Sequence, residues 1–355
     1  MRLRSIDILR ALAILLVLFR HLDYDNLPMV LHYMKKIGWM GVDMFFVLSG
    51  FLVSGLLFYE YKKKNEIKPV RFLVRRGFKI YPSFYALILL VVAVKYIKHV
   101  SFNRGDLMAE LFFYQNYHPS LLGHTWSLAV EEHFYILLSV GLFAYIHYAK
   151  NMRKLPYIII SLLVVILGMR YITYTYHLYN FKEDFQRYCM SHLRFDALFF
   201  GVLLSFMYHF HPDAFNKYLT QKRGLILIFS IICLLPCLLL PTDSNIVGIW
   251  GLSLNYLGFG GLLICALSVE TFLVKHNNWL LSFLCIIGVN SYSIYLWHIP
   301  FEALIKLKLT SHIHNAALYM VIYGLSSIAV GIVLGKVIEI PFLHLREKLV
   351  KPQYK

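Results

Sequence analysis

The sequence predicts an all-α polytopic membrane protein, with about ten transmembrane helices in one bundle and both termini in the cytoplasm. Three observations predict it. Of the 355 residues, 59% are hydrophobic and only 15% charged, far from the balance of a water-soluble globule. Runs of about 20 mostly apolar residues, the length that crosses a hydrocarbon core of about 30 Å, recur along the whole chain. The Lys and Arg behind the formal charge of +16 fall in short segments between those runs, where basic loops are retained on the cytoplasmic side. That distribution explains the positive charge without a nucleic-acid partner.

The elements follow in order. The first helix covers about residues 5–22. Its start, "MRLRSIDILRALAILLV", has the basic beginning of a signal peptide, but Asp7 and Arg10 interrupt the apolar region and no small-x-small site follows, so an uncleaved helix is expected. A turn-rich loop containing Pro28 leads to the second helix, about 40–59. Next comes "YKKKNEIKPVRFLVRRGFK", whose eight Lys and Arg place this segment, and hence the amino terminus, inside. The third helix runs about 80–98, and the partly polar residues 99–123 suit an outer loop or a surface helix. The fourth, about 125–148, ends at the basic "KNMRK", on the inner side as alternation demands. Six more follow at about 155–176, 194–210, 224–241, 247–270, 280–304 and 315–338. The connection "NKYLTQKR" and the tail "LREKLVKPQYK" are basic and also fall inside. One domain, residues 1–355, with no separate soluble part, is the economical arrangement, placed in the plasma membrane as a multi-pass protein. The five cysteines show no C-x-x-C spacing, and packing explains them.

Several polar stripes interrupt the apolar runs. At about 100° and 1.5 Å per residue, the eleven steps from Arg10 to His21 make three turns plus about 20° and about 16 Å of rise, so both residues share a face. Asp7, three residues before Arg10, lies on the same side. Ionisable groups at membrane depth are costly and usually face a polar cavity or a partner. The competing readings are an arginine that snorkels to the headgroups and an interfacial histidine.

A second stripe lies in "HTWSLAVEEHFY", where His124, Ser127, Glu131 and Tyr135 recur at spacings of three and four, flanked by Trp126, Glu132 and His133. A third is "SYSIYLWHIPFE", with Ser291, Tyr295, His298 and Glu302. "RFDALFFG" contributes Arg194 and Asp196, and "FFVLSGF" contributes Ser49, a residue type that within a helix more often hydrogen-bonds its own backbone than acts as a nucleophile. The cationic "RRGFKIYP" offers Arg75, Arg76 and Lys79 to phosphate groups, or serves only as a positive-inside signal. There is no H-E-x-x-H, no Walker loop and no G-x-S-x-G elbow, and the pairs His209/His211 and His312/His314 lack an evident third ligand. No metal site and no permanently bound cofactor is expected.

Taken together and in order, Arg10-x10-His21, "GVDMFFVLSGFLVSG", "RRGFKIYPSFY", "HTWSLAVEEHFYIL", "RFDALFFGVLLS" and "SYSIYLWHIP" make the chain resemble the acyltransferase-3 family of integral membrane acyltransferases, which includes O-acetyltransferases of surface polysaccharides. The resemblance implies a ten-helix enzyme domain. It would take an acyl group, commonly acetyl, from cytosolic acyl-CoA to a hydroxyl, usually of a sugar in a glycan or a lipid-linked sugar. It implies His21 as the catalytic histidine, Arg10 as its essential partner, and the family's R-x-x-R element at Arg76 and Lys79 as the acyl-CoA site. Lysine in the second place departs from the family and weakens bidentate phosphate binding there.

Elementary chemistry agrees. A thioester is already activated, so the enzyme needs chiefly a base for the acceptor hydroxyl, a task that suits histidine at neutral pH. Glu131 or Glu132 would orient it. Asp7, His124, Trp126, Ser127, Arg194, Asp196, Tyr295 and His298 are expected to bind substrate or support the site, and Ser49 and Arg75 to assist at the donor. The rival reading is a non-catalytic transporter or flippase of a lipid-linked sugar, because polar stripes also line permeation paths.

Overall fold

Every regular element among the described residues is a helix, as a chain with few charges and no water to hydrogen-bond its backbone requires. A computed structural model describes residues 3–24, 27–149, 151–176, 188–242, 244–276, 278–309, 313 and 315–350. The helices are α1 (Arg4–Arg20), α2 (Met29–Ile37), α3 (Met40–Lys64), α4 (Pro69–Ile97), α5 (Arg104–Leu111), α6 (Trp126–Ala149), α7 (Leu155–Thr175), α8 (Ser191–Phe210), α9 (Pro212–Leu239), α10 (Leu252–Ser268), α11 (Glu270–Lys275), α12 (Trp279–Val289), α13 (Ser291–Leu309), α14 (Ala316–Leu334) and α15 (Ile340–Leu349). Single π-type turns, Val247–Gly251 and Gly335–Glu339, lead into α10 and α15.

Among the described residues eight helical stretches are long and apolar enough to cross a membrane, and the bent pair α12–α13 makes a ninth if it is one span. Helix α1, with 17 residues, is shorter than any of these. With α1 and the bent pair, each of the ten expected spans has a helical counterpart.

The boundaries differ instructively. The basic segment expected as a loop over 60–79 is almost wholly helical, because α3 continues to Lys64 and α4 begins at Pro69. Lys and Arg are good helix formers, and Pro at a helix start costs nothing because its missing N–H would be unpaired there. The turn between them is made at Asn65, with φ 55°. "NKYLTQKR" is likewise not a loop: it lies inside α9, which bends at Lys222 (φ −119°, ψ 15°). The loop with Pro28 contains α2, which starts at the residue after that proline. The tail beyond residue 350 lies outside the described residues.

Contacts group the chain into two compact units. Unit 1 comprises Met1–Val42, Arg75–Ser101 and Glu270–Lys355. In it α1 packs on α2, α12 and α13, and α13 packs on α14. Lipid tails are as apolar as Leu, so close van der Waals approach rather than a hydrophobic drive holds such helices. Gly288 of α12 accordingly lies against the backbone of Asp7, where any side chain would collide with the Asp7 carbonyl. The chain bends by 74° between α12 and α13. Asn290, at the bend, bonds the Ile286 carbonyl oxygen with its backbone N–H (3.2 Å) and its side-chain amide (2.8 Å), while its own carbonyl accepts from the Ile294 N–H (3.0 Å). Backbone groups freed by the bend are therefore satisfied locally.

Unit 2 comprises Asp43–Val74 and Phe102–Val269. Here α8 packs on α6, α7, α9 and α10, and α9 packs on α10. Helices α3 and α8 cross at two glycines: Gly50 faces the Leu198 carbonyl and Gly201 faces the Val47 carbonyl, neither with room for a Cβ.

Candidate active site

In unit 1, His21 stands one residue past the end of α1, at its C-cap. Its Nδ1 lies 3.0 Å from the Val17 carbonyl oxygen, one turn back. A carbonyl oxygen only accepts, so Nδ1 carries the proton and Nε2 keeps the lone pair. The Nε2 of His298 lies 3.2 Å from the same Nδ1, and the two rings meet edge-on, with centroids 4.9 Å apart. His298 sits on α13, fully buried, beside Tyr295. The stripe expected from sequence is real: Ser291, Tyr295, His298 and Glu302 are all buried.

One turn beyond His298, Glu302 accepts the backbone N–H of Asp23 at 2.9 Å, and one turn further Lys306 pairs with the Asp23 carboxylate. Tyr24 donates to the Ile313 carbonyl (3.1 Å) and its ring lies 5.0 Å from that of Tyr319. The short segment after α1 is thus pinned at successive residues. Asp7 is buried on α1, and Arg10 is half-buried on the same helix, about 16 Å from His21 by helical rise.

The basic set of α4 is already paired within unit 1. Arg75 bonds the Glu347 carboxylate at 2.9 Å and the Val350 carbonyl, and Lys79 pairs with Glu339 and lies 5.7 Å from the centre of the Tyr292 ring. Arg76 is half-buried between them in sequence. A phosphate bound here would compete with carboxylates that the sequence stripe did not show.

In unit 2 the residues of the second stripe fall into distinct groups. Ser49 does not bond its own backbone: its hydroxyl lies 2.8 Å from that of Tyr135, which donates to Glu131, so Ser49, Tyr135 and Glu131 form one chain. Glu132 is buried on the same helix, and His124, Trp126 and Ser127 are buried at its start. Arg194 forms a buried ion pair with Asp43, whose other oxygen accepts from Asn255 at 2.5 Å. The Arg194 guanidinium also lies over the rings of Tyr188 (4.3 Å), Phe46 (5.6 Å) and Trp126 (5.8 Å). Asp196 pairs with the fully buried Arg170 at 2.6 Å, and Arg170 also donates to the Ser253 hydroxyl at 2.5 Å. His133 meets the Ser191 hydroxyl at 2.8 Å, which accepts from Asn116 at 2.7 Å.

Sequence reasoning missed Glu110 altogether. It is fully buried on α5, in the polar stretch expected to be an outer loop or a surface helix, and its carboxylate accepts from the Leu122 N–H (2.9 Å) and from the Thr125 hydroxyl (2.9 and 3.0 Å). Burial pushes its carboxyl up to about 7 against the opposing pull of those hydrogen bonds. A buried acid on an eight-residue helix shows no periodic signal. Asp43 and Arg170 were also missed, since each is a single ionisable residue within an apolar run. Among the described residues no group of three or more His, Cys, Asp or Glu comes together as a metal site.

One family model matches nearly the whole chain. Residues 3–336 match the acyltransferase-3 model, described as an acyltransferase domain. A peptidoglycan O-acetyltransferase, OatA, of Listeria monocytogenes is 30% identical over 324 residues, covering 83% of this chain and 49% of that protein. A putative O-acetyltransferase of Staphylococcus aureus (strain COL) is 28% identical, covering 83% of this chain and 50% of its own length. An O-acetyltransferase, OatA, of the same species is 27% identical, covering 84% and 50%. The chain thus spans about half the length of the curated relatives it matches. No solved structure matches it.

Proposed function

The chain belongs to the acyltransferase-3 family, and on that premise we propose that it is a membrane O-acyltransferase, moving an acyl group, in the first instance acetyl, from cytosolic acyl-CoA to a sugar hydroxyl of a cell-surface glycan. The observation that carries this reading is the state of His21. Its Nδ1–H is held by Val17 and met by His298, and its Nε2 keeps the lone pair that a general base needs. The names of the relatives, O-acetyltransferases and in one case a peptidoglycan O-acetyltransferase, support the acyl group and the glycan acceptor.

In this reading His21 Nε2 takes the proton of the acceptor hydroxyl as its oxygen attacks the thioester carbonyl. The C–S bond then breaks, and the departing thiolate recovers the proton from His21. Arg10, on the same face of α1 about 16 Å toward its start, guides the donor. Arg76, with Lys79 and Arg75, recognises the CoA phosphates, and Glu131 and Glu132 assist the acceptor side. The whole of residues 1–355 acts as one catalytic domain in the plasma membrane, with residues 60–79 and both termini cytoplasmic. Mono-cationic Lys79, already paired with Glu339, contributes less to phosphate binding than Arg76 does.

The test is direct. Purified protein incubated with acetyl-CoA and a glycan acceptor should release free CoA only when both are present, and correctly inserted His21→Gln protein should not. Near-normal transfer by His21→Gln would refute the base assignment. CoA release that never exceeds the no-protein rate, with sugar translocation intact, would favour a transporter.

A further inference from the structure

We propose that His298 is a positioning residue for His21: it holds the His21 ring in the tautomer that leaves Nε2 basic, and it takes no proton itself. The inference rests on the reading of His21 as the base and adds to it a second imidazole with a different task.

The argument begins with the far side of His298. Its Nδ1 lies 2.5 Å from the carbonyl oxygen of Tyr295, one turn back on α13. That oxygen has no proton to give, so Nδ1 of His298 is the N–H and its Nε2, in the neutral ring, presents a lone pair. The lone pair faces His21 Nδ1 at 3.2 Å, and this nitrogen also faces the Val17 carbonyl at 3.0 Å. Two acceptors on one nitrogen leave His21 a single sensible tautomer, with the proton on Nδ1. The Val17 carbonyl favours the Nδ1–H tautomer of His21 from within α1, and the His298 lone pair adds the second acceptor that holds it, which makes the two ring assignments depend on each other. A protonated His298 would set two N–H groups against each other, so the arrangement requires His298 to stay neutral.

The charge balance of the reaction makes this useful. When the acceptor's proton arrives at His21 Nε2, the ring becomes an imidazolium whose other N–H already points at a carbonyl oxygen and an imidazole lone pair. Pre-aligned acceptors stabilise a developing positive charge without reorganisation, as pre-aligned donors stabilise an oxyanion. After C–S cleavage the proton leaves with the thiolate, and both rings return to their starting tautomers.

Geometry along α13 supports the same role. His298, Glu302 and Lys306 recur every four residues on one face and hold three groups close together in the chain: the His21 ring, the Asp23 N–H and the Asp23 carboxylate. The helix thus grips the end of α1 at the point where the base projects.

Three variants and two measurements test this. His298→Gln keeps an acceptor oxygen near the Nε2 position, whereas His298→Leu keeps bulk and removes the acceptor. With matched insertion and thermal midpoint, the Leu variant should lose about 10- to 100-fold in kcat, by analogy with the loss when the partner that orients a metal-bound imidazole is removed. Its KM for acetyl-CoA and for the acceptor should be unchanged, and Gln should recover most of the loss. The readout independent of activity is the nitrogen NMR of histidine-labelled protein. His21 should report the Nδ1–H tautomer in the natural and Gln proteins and a mixture in the Leu protein. Full kcat in His298→Leu, or a Gln variant no better than Leu, would overturn the inference while leaving the base assignment standing. His21→Gln, run alongside, separates the two: if it transfers normally, the base itself is wrong.

Discussion

In unit 2 the buried cations each lie against a carboxylate, Arg194 against Asp43 and Arg170 against Asp196, and neighbouring amide, hydroxyl and aromatic groups enclose them. In unit 1 the buried His298 meets another imidazole instead, and among the described residues the hydroxyls of Ser291, Ser293, Tyr319, Tyr323 and Ser327 around α13 and α14 are buried without a hydrogen-bond partner. Both regions place polar groups where water is scarce, but at these sites only unit 2 sets charge against charge. A fixed ion pair holds helices and resists change, because separating it strands a charge in a low dielectric. A neutral imidazole pair strands no charge at rest and leaves the Nε2 lone pair of His21 to accept a proton. On the proposed reading the ion pairs of unit 2 hold helices and the imidazole pair of unit 1 carries the base, although the sequence patterns that announced them were equally polar.

The comparison can be broken by experiment. The largest effect is expected at His21: the Gln variant should keep its unfolding midpoint in detergent and lose about 10² to 10⁴ in transfer rate, the cost typical of removing a positioned base. Arg194→Met should do the reverse in kind, destabilising the protein by about 3–5 kcal/mol in chemical or thermal unfolding because Asp43 is left uncompensated. Joining it to Asp43→Leu should restore most of that loss. If Arg194→Met unfolds normally while transfer disappears, the pair is part of the site and the contrast fails.

A smaller effect belongs to Glu110. Its carboxyl is raised from 4.5 to about 7 by burial, so the folded protein binds more protons than the unfolded chain between those values. The stabilisation is complete below about pH 4.5, falls as pH rises, and is lost above about 7. Protection of the amides of residues 104–125 from exchange, relative to their intrinsic rates, should therefore fall across this window, and Glu110→Gln should flatten the dependence. The smallest effect is expected for Lys306→Ala. Its pair with Asp23 is about half exposed at both partners, so it should cost under about 1 kcal/mol and shrink with salt. A large loss of transfer in that variant would mean that the grip of α13 on the end of α1 depends on charge more than on His298 and Glu302.

What could be read from sequence followed what is local. Apolar runs of span length gave the helices, and spacings of three and four gave the buried stripe Ser291, Tyr295, His298 and Glu302, because both are properties of a single helix. The partners of those residues were not legible. Arg194 finds Asp43 across 151 positions of sequence, and His298 finds His21 across 277, separations at which no periodicity speaks. Ser49 carried the expectation of a backbone hydrogen bond, since that is what an isolated helix offers a serine. Tyr135 on a neighbouring helix offered a better partner. The basic segments around 60–79 and 216–223 read as loops because charge is a signal of membrane side. Charge does not forbid a helix, however, and α3, α4 and α9 simply continue into them.

The crossing of α3 and α8 has a consequence for how substitutions there would combine. Gly50 lies under the Leu198 carbonyl and Gly201 under that of Val47, so each glycine makes the room that the other helix's backbone occupies. A methyl group at either position must push the two axes apart, and the gap so opened is the same gap a methyl at the other position would need. The penalties are therefore shared. In a double-mutant cycle Gly50→Ala and Gly201→Ala should show strong positive coupling, the pair costing little more than the worse single change. Along such a path the first substitution carries nearly the whole penalty and the second almost none.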